Sequence, residues 1–124
     1  MQPDPTLLWG ERRRSPRRRA CFPVEIHHDE GAPKTGLARE VSNHGAQILT
    51  LVPFEVRTPL ALMMYVDDDE ASHPAIGRVV RVTEHGADGF WSWVVAVSFD
   101  EPITALEPQV AAISERQRKA GLLD

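Results

Sequence analysis

The chain has 124 residues, 42% of them hydrophobic and 26% charged, which is the length and balance of one globular domain and excludes a disordered chain. Its net charge of −4 is uneven: residues 11–20 hold six arginines and one glutamate, leaving 8 basic and 17 acidic residues elsewhere. A basic run on an acidic body points to a local anion site and counts against a broad nucleic-acid surface.

Residues 1–10 contain Pro3 and Pro5, show no periodicity and lack a basic region followed by an apolar run. They read as a mobile leader, with stray apolar Leu7, Leu8 and Trp9, and not as a signal peptide. Residues 11–19 are charge-dense and interrupted by Pro16, so they read as a flexible arginine arm. From residue 20 the signal turns to β. Phe22, Val24 and Ile26 alternate with Cys21, Pro23 and Glu25, and Pro23 suggests an edge position. Thr35 to Val41 is a weaker strand after the turn-like residues 29–33. Ala46 to Val52 follows Ser42-Asn43-His44-Gly45, where Gly45 offers a turn with positive φ. Leu60 to Val66 is strongly apolar, too short to cross a bilayer, and closed by the acidic loop Asp67 to Glu70. Ile76 to Thr83 sets Ile76, Val80 and Val82 against Arg78 and Arg81. Trp91, Trp93, Val95, Val97 and Phe99 occupy every second position, with both tryptophans read as core.

Six short strands without an intervening helix predict an antiparallel barrel or sandwich. The tail is helical over about 104–119. Thr104 to Glu107 fits a capping box, Pro108 equally suits the first helical position, and Gly121 is a stop. Val110, Ile113 and Gln117 give the helix a weak face. The expected fold is mostly β: a six-stranded antiparallel β-barrel (20–100) with a C-terminal helix and an N-terminal arginine arm.

Cys21 stands alone, which rules out an intramolecular disulfide and a cysteine-based zinc site, and it reads as a small buried hydrophobe. His27-His28-Asp29-Glu30 resembles metal-ligand material, but neighbours on a strand point to opposite faces. The acidic loop lacks the glycine and distal glutamate of a calcium loop. No Ser-His-Asp or Cys-His arrangement can be argued, so neither a catalytic site nor a metal site is expected.

Two segments carry chemistry: Glu11-Arg12-Arg13-Arg14-Ser15-Pro16-Arg17, leading into the first strand, and Glu40-Val41-Ser42-Asn43-His44-Gly45 at a strand–turn–strand junction. Alone, the first reads as a solvated tail and the second as a hairpin turn. Together, in this order, they resemble the PilZ family of bacterial cyclic di-GMP receptor domains, over residues 11–119. The family's RxxxR is supplied by Arg13 and Arg17. Its [D/N]xSxxG is supplied by Ser42 and Gly45, with Glu40 in the Asp/Asn place. The resemblance implies the six-stranded PilZ barrel and a ligand site formed by Arg12, Arg13, Arg14, Arg17, Glu40, Ser42 and Gly45. An arginine just before the motif, here Arg12, implies binding of cyclic di-GMP as an intercalated dimer.

The residue chemistry suits that ligand. Arginine forks meet the O6 and N7 acceptors of guanine bidentately and pair with phosphodiesters, and Ser42 can donate to an oxygen. Glu40 is one methylene longer than aspartate. The expected function is a stand-alone cytoplasmic receptor, not an enzyme, that signals through a protein effector in motility, biofilm formation or development. The alternative is a PilZ-like adaptor that does not bind the nucleotide. No resident cofactor, membrane insertion or nucleic-acid partner is expected.

Overall fold

The computed structural model describes residues 18–29, 31–66, 72–86 and 89–122. Alternation of apolar and polar side chains drives six strands: β1 (Arg18–His27), β2 (Lys34–Ser42), β3 (Gly45–Thr50), β4 (Pro59–Tyr65), β5 (Ser72–Glu84) and β6 (Trp93–Phe99). They close into an antiparallel barrel in the order β1-β2-β3-β6-β5-β4. A helix, α1 (Leu106–Lys119), follows. The leader, the acidic loop Asp67 to Glu70 and most of the arginine arm lie outside the described residues. Arg18 and Arg19, expected in the arm, belong to β1, where they face Val41 and Glu40 of β2.

Phe22, Ile26, Ile48, Leu60 and Met64 fill the barrel, and Leu106 and Val110 of α1 join the same core. Burying each such side chain stabilises the fold by about 1.5–3 kcal/mol. Three β-bulges bend the wall, at Ala20–Cys21 in β1, Arg39 in β2 and Val80 in β5. The last inverts the expected pattern of β5. Ala75, Gly77 and Val79 point inward, while Ile76 and Val80 are 62% and 53% exposed. The extra residue at Val80 then resets the parity, so Val82 returns to the inside and packs on the core.

The tryptophans also depart from expectation. Trp93 opens β6 at the rim, opposite Thr50 and Glu84, and Trp91 precedes the strand with its ring edge-on to Phe90. Both are half-buried and neither belongs to the core, because the period-2 run extends past the end of the barrel. Cys21 is half-buried too, on the outward side of β1 between inward-facing Ala20 and Phe22.

The helix starts without a capping box. Its N-cap is Ala105, which has no side-chain hydrogen bond, and the Leu106 N–H donates to Ile103 O at 3.1 Å. Full burial of Leu106 sets the start, and Pro108 falls in the first turn, where its missing N–H costs nothing. The stop is as expected. Gly121 adopts φ +81°, and the N–H groups of Gly121 and Leu122 return to Arg118 O and Gln117 O, a Schellman closure.

Candidate functional site

Residues paired directly across neighbouring strands share a face, so the register orders the outer surface of the barrel into rows. One row runs Arg19, Glu40, Gln47, Ala96, Arg81 across β1, β2, β3, β6 and β5. The next runs Ser42, Gly45, Ser98, Arg78. Glu40, Ser42 and Gly45, three residues of the expected site, therefore lie on one patch of outer wall. Arg12, Arg13, Arg14 and Arg17 lie outside the described residues. The described chain begins at Arg18, which pairs with Val41, the residue before Ser42.

Glu40 stands between Arg19 on β1 and Gln47 on β3 and is half-buried. The bulge at Arg39 turns that side chain to the same side, where its Nε donates to Gln47 Oε1 at 3.3 Å. Ser42 has a local task. Its Oγ accepts the His44 N–H at 3.1 Å, which pins the turn and leaves the hydroxyl proton available to a ligand oxygen.

Gly45 is needed for a reason other than positive φ, which it does not adopt. A Cβ there would sit 2.5 Å from Val97 O on β6. Its missing side chain lets β3 and β6 approach and leaves the wall bare beside Ser42.

The C-terminal segment touches this region at both ends. The Ile103 N–H donates to Asn43 O at 2.9 Å, so the chain entering α1 holds the turn. β4 pairs with β1 only over Val24–His27, which leaves the edge of β1 at Cys21 open. Gln117 fills that gap like a strand partner: Oε1 accepts the Cys21 N–H at 2.8 Å and Nε2 donates to Cys21 O at 2.9 Å. Pro23, which has no N–H, sits just before the β4 pairing begins. His73 Nε2 on β5 is hydrogen-bonded to Gln109 Oε1 of α1 at 3.0 Å.

Two further histidines have structural partners. His27 lies 3.0 Å from Glu25, and His28 packs edge-on against Phe54. Among the described residues no group of three or more His, Cys, Asp or Glu side chains could hold a metal. No helix among them is long and apolar enough to cross a membrane.

Arg39, Gln47, Ser98, Arg78 and Arg81 were not identified as site residues from the sequence. Only the strand register brings them beside the turn.

A family model described as PilZ domain matches residues 11–114. No curated protein matches the chain. Among solved structures, the PilZ domain with c-di-GMP of YcgR from Escherichia coli is 13% identical, covers 90% of this chain and 99% of its own, and superposes with a TM-score of 0.68. The Bacillus subtilis inhibitor of motility MotI/DgrA is 15% identical over 87% of this chain, with a TM-score of 0.61. The K. pneumonia MrkH–c-di-GMP complex is 16% identical over 86% of this chain, with a TM-score of 0.62. The chain spans about half the length of these last two, 52% and 55% respectively. At these identities the likeness is one of fold.

Proposed function

Since the chain belongs to the PilZ domain family, we propose that it is a receptor for cyclic di-GMP that acts through a protein partner. The observation that carries this reading is the outer-wall patch. Glu40, Ser42 and Gly45 share it, and β1, which the arginine run precedes in sequence, begins beside it with Arg18 opposite Val41. Guanidinium groups pair with the phosphodiesters and fork onto guanine O6 and N7. The Glu40 carboxylate accepts from N–H donors on the other guanine edge. The structural likeness to c-di-GMP complexes of YcgR and MrkH supports the same ligand, and the likeness to the inhibitor of motility MotI supports an output in motility, among biofilm and developmental roles. Arg12 next to the motif supports an intercalated ligand pair.

The partner reads a surface change. Ligand drawing the arginine run onto the wall alters the face around the turn, and the Ile103–Asn43 bond extends that change toward α1. Calorimetric titration of the full chain with cyclic di-GMP tests the reading: saturable heat at micromolar ligand is expected. A second reading, an adaptor that binds no nucleotide, is favoured by Glu40 standing in the family's Asp/Asn place, and absence of heat would select it.

A further inference from the structure

Across the barrel from the candidate site the outer wall changes character. In the closed order of strands, the β4–β5 seam lies opposite the β2–β3 seam that carries Glu40, Ser42 and Gly45. Register lays the outward residues of β1, β4 and β5 in three rows: Glu25, Met63 and Pro74, then His27, Ala61 and Ile76, then Pro59 and Arg78. Tyr65 extends the apolar column of β4. Pro59, Ala61, Tyr65, Pro74 and Ile76 are exposed, and Met63 is half-buried. A sheet face that meets water is ordinarily polar, and the wall at the candidate site follows that rule with Arg39, Glu40, Ser42 and Gln47. The β4–β5 wall does not. A contiguous exposed apolar face of this kind marks a contact with another molecule.

Its charges are arranged to suit a second copy of itself. Among the described residues of the three rows, Glu25 is the one acidic side chain and Arg78 the one guanidinium, and they occupy diagonally opposite corners with Ala61 midway. His27, 3.0 Å from Glu25, keeps that carboxylate on the face. Arg78 has no ion-pair or hydrogen-bond partner among the described residues. A two-fold axis lying in the contact plane at Ala61 sets each Glu25 against the second copy's Arg78, with apolar side chains between the two pairs. The face is small. It runs roughly 20 Å along β4 and 10 Å across three strands, well under the about 800 Å² per partner that a stable interface buries. An area of that size suits a weak, concentration-dependent contact and not an obligate one.

We infer that the outer face of β1, β4 and β5 is a self-association surface through which two copies of this chain form a weak isologous dimer. Met63, Ala61 and Ile76 form its apolar centre, and two Glu25–Arg78 pairs fix its register. The candidate turn of each copy stays on the side of the barrel away from the contact, so the dimer presents two such turns to solvent.

The test is sedimentation equilibrium of the full chain without nucleotide, from about 1 μM to about 1 mM. The parent is compared with Ile76→Asp, Glu25→Arg, Arg78→Glu and the double charge swap. Thr83→Asp, an exposed position of β5 outside the three rows, is the control for added negative charge. Thermal melts establish that these exposed or half-buried substitutions leave the fold intact. The parent is expected to pass from monomer to dimer with a dissociation constant on the order of 100 μM, as the small contact dictates. Ile76→Asp should weaken association at least roughly tenfold, because each copy would bury an unpaired carboxylate. Glu25→Arg and Arg78→Glu shift the net charge in opposite directions, yet each should weaken association by roughly threefold or more. The double swap should return to within about twofold of the parent, and Thr83→Asp should match it. A parent that stays monomeric to about 1 mM overturns the dimer and leaves the face to a different protein. A dimer that survives Ile76→Asp overturns this surface as its seat, and a double swap no better than the single swaps overturns the register.

Discussion

Gly45 sets how closely β3 and β6 can lie beside the candidate site. With Val97 O only 2.5 Å from where a Cβ would be, alanine cannot enter without moving backbone, and backbone is costly to move. Gly45→Ala is expected to destabilise the fold by about 1–3 kcal/mol, the usual cost of overpacking. Thermal or urea unfolding reads this directly, and an unchanged midpoint would show that the strands have slack. Glu40 poses the opposite case, because its side chain lies on the outer wall and not in the core. Glu40→Asp shortens the carboxylate by one methylene and restores the family's residue. Cyclic di-GMP affinity is expected to rise by about tenfold, the scale of one well-placed hydrogen bond to a charged group. Equal affinities in calorimetry would remove Glu40 from the site.

Among the elements, α1 completes the barrel at the place where two strands fail to meet. Gln117 supplies the acceptor and the donor that β4 does not extend far enough to give Cys21. Gln117→Ala leaves both backbone groups of Cys21 without those partners in a half-buried position, at a cost of about 1–3 kcal/mol. A lower melting temperature is expected, with faster hydrogen exchange at the Cys21 amide, and unchanged exchange would mean that water substitutes freely. Gln117→Glu, which keeps an acceptor and loses the donor, should fall between parent and alanine. The sequence made much of this architecture legible. Inward positions of β1, β4 and the later part of β6 alternate strictly, and Gly121 marks the end of α1. Where the sequence misleads, a bulge or a strand end is responsible: Val80 shifts the parity of β5, and Trp91 and Trp93 extend a perfect period beyond the barrel. The site divides the same way. Glu40, Ser42 and Gly45 are neighbours in sequence and visible by spacing, whereas Arg78 and Arg81 reach them only through the β3–β6–β5 register. That register is long-range pairing, which local spacing does not encode.

For the molecule as a whole, the cyclic di-GMP reading proposed above makes charge distribution the factor that sets how much ligand is held. One cyclic dinucleotide brings two phosphodiester charges, and an intercalated pair brings four. The arginine run offers Arg12, Arg13, Arg14 and Arg17, and the outer wall adds Arg19, Arg39, Arg78 and Arg81, against an otherwise acidic chain. Such a concentration exceeds what one ligand neutralises, and like charges crowded together repel until anions arrive. Stacking of the inner guanines between neighbours lets a second ligand enter while relieving that repulsion. Binding is therefore expected to saturate near two nucleotides per chain and to weaken as salt screens the guanidinium–phosphate attraction. Arg12→Leu removes the cation that precedes the motif while leaving Arg13 and Arg17. It should shift the calorimetric stoichiometry toward one without abolishing binding. Arg13→Ala or Arg17→Ala should abolish binding and leave the melting temperature near that of the parent, since both precede the apolar alternation that the sequence shows from residue 20 onward. If parent and Arg12→Leu both saturate at one equivalent, the paired ligand is excluded.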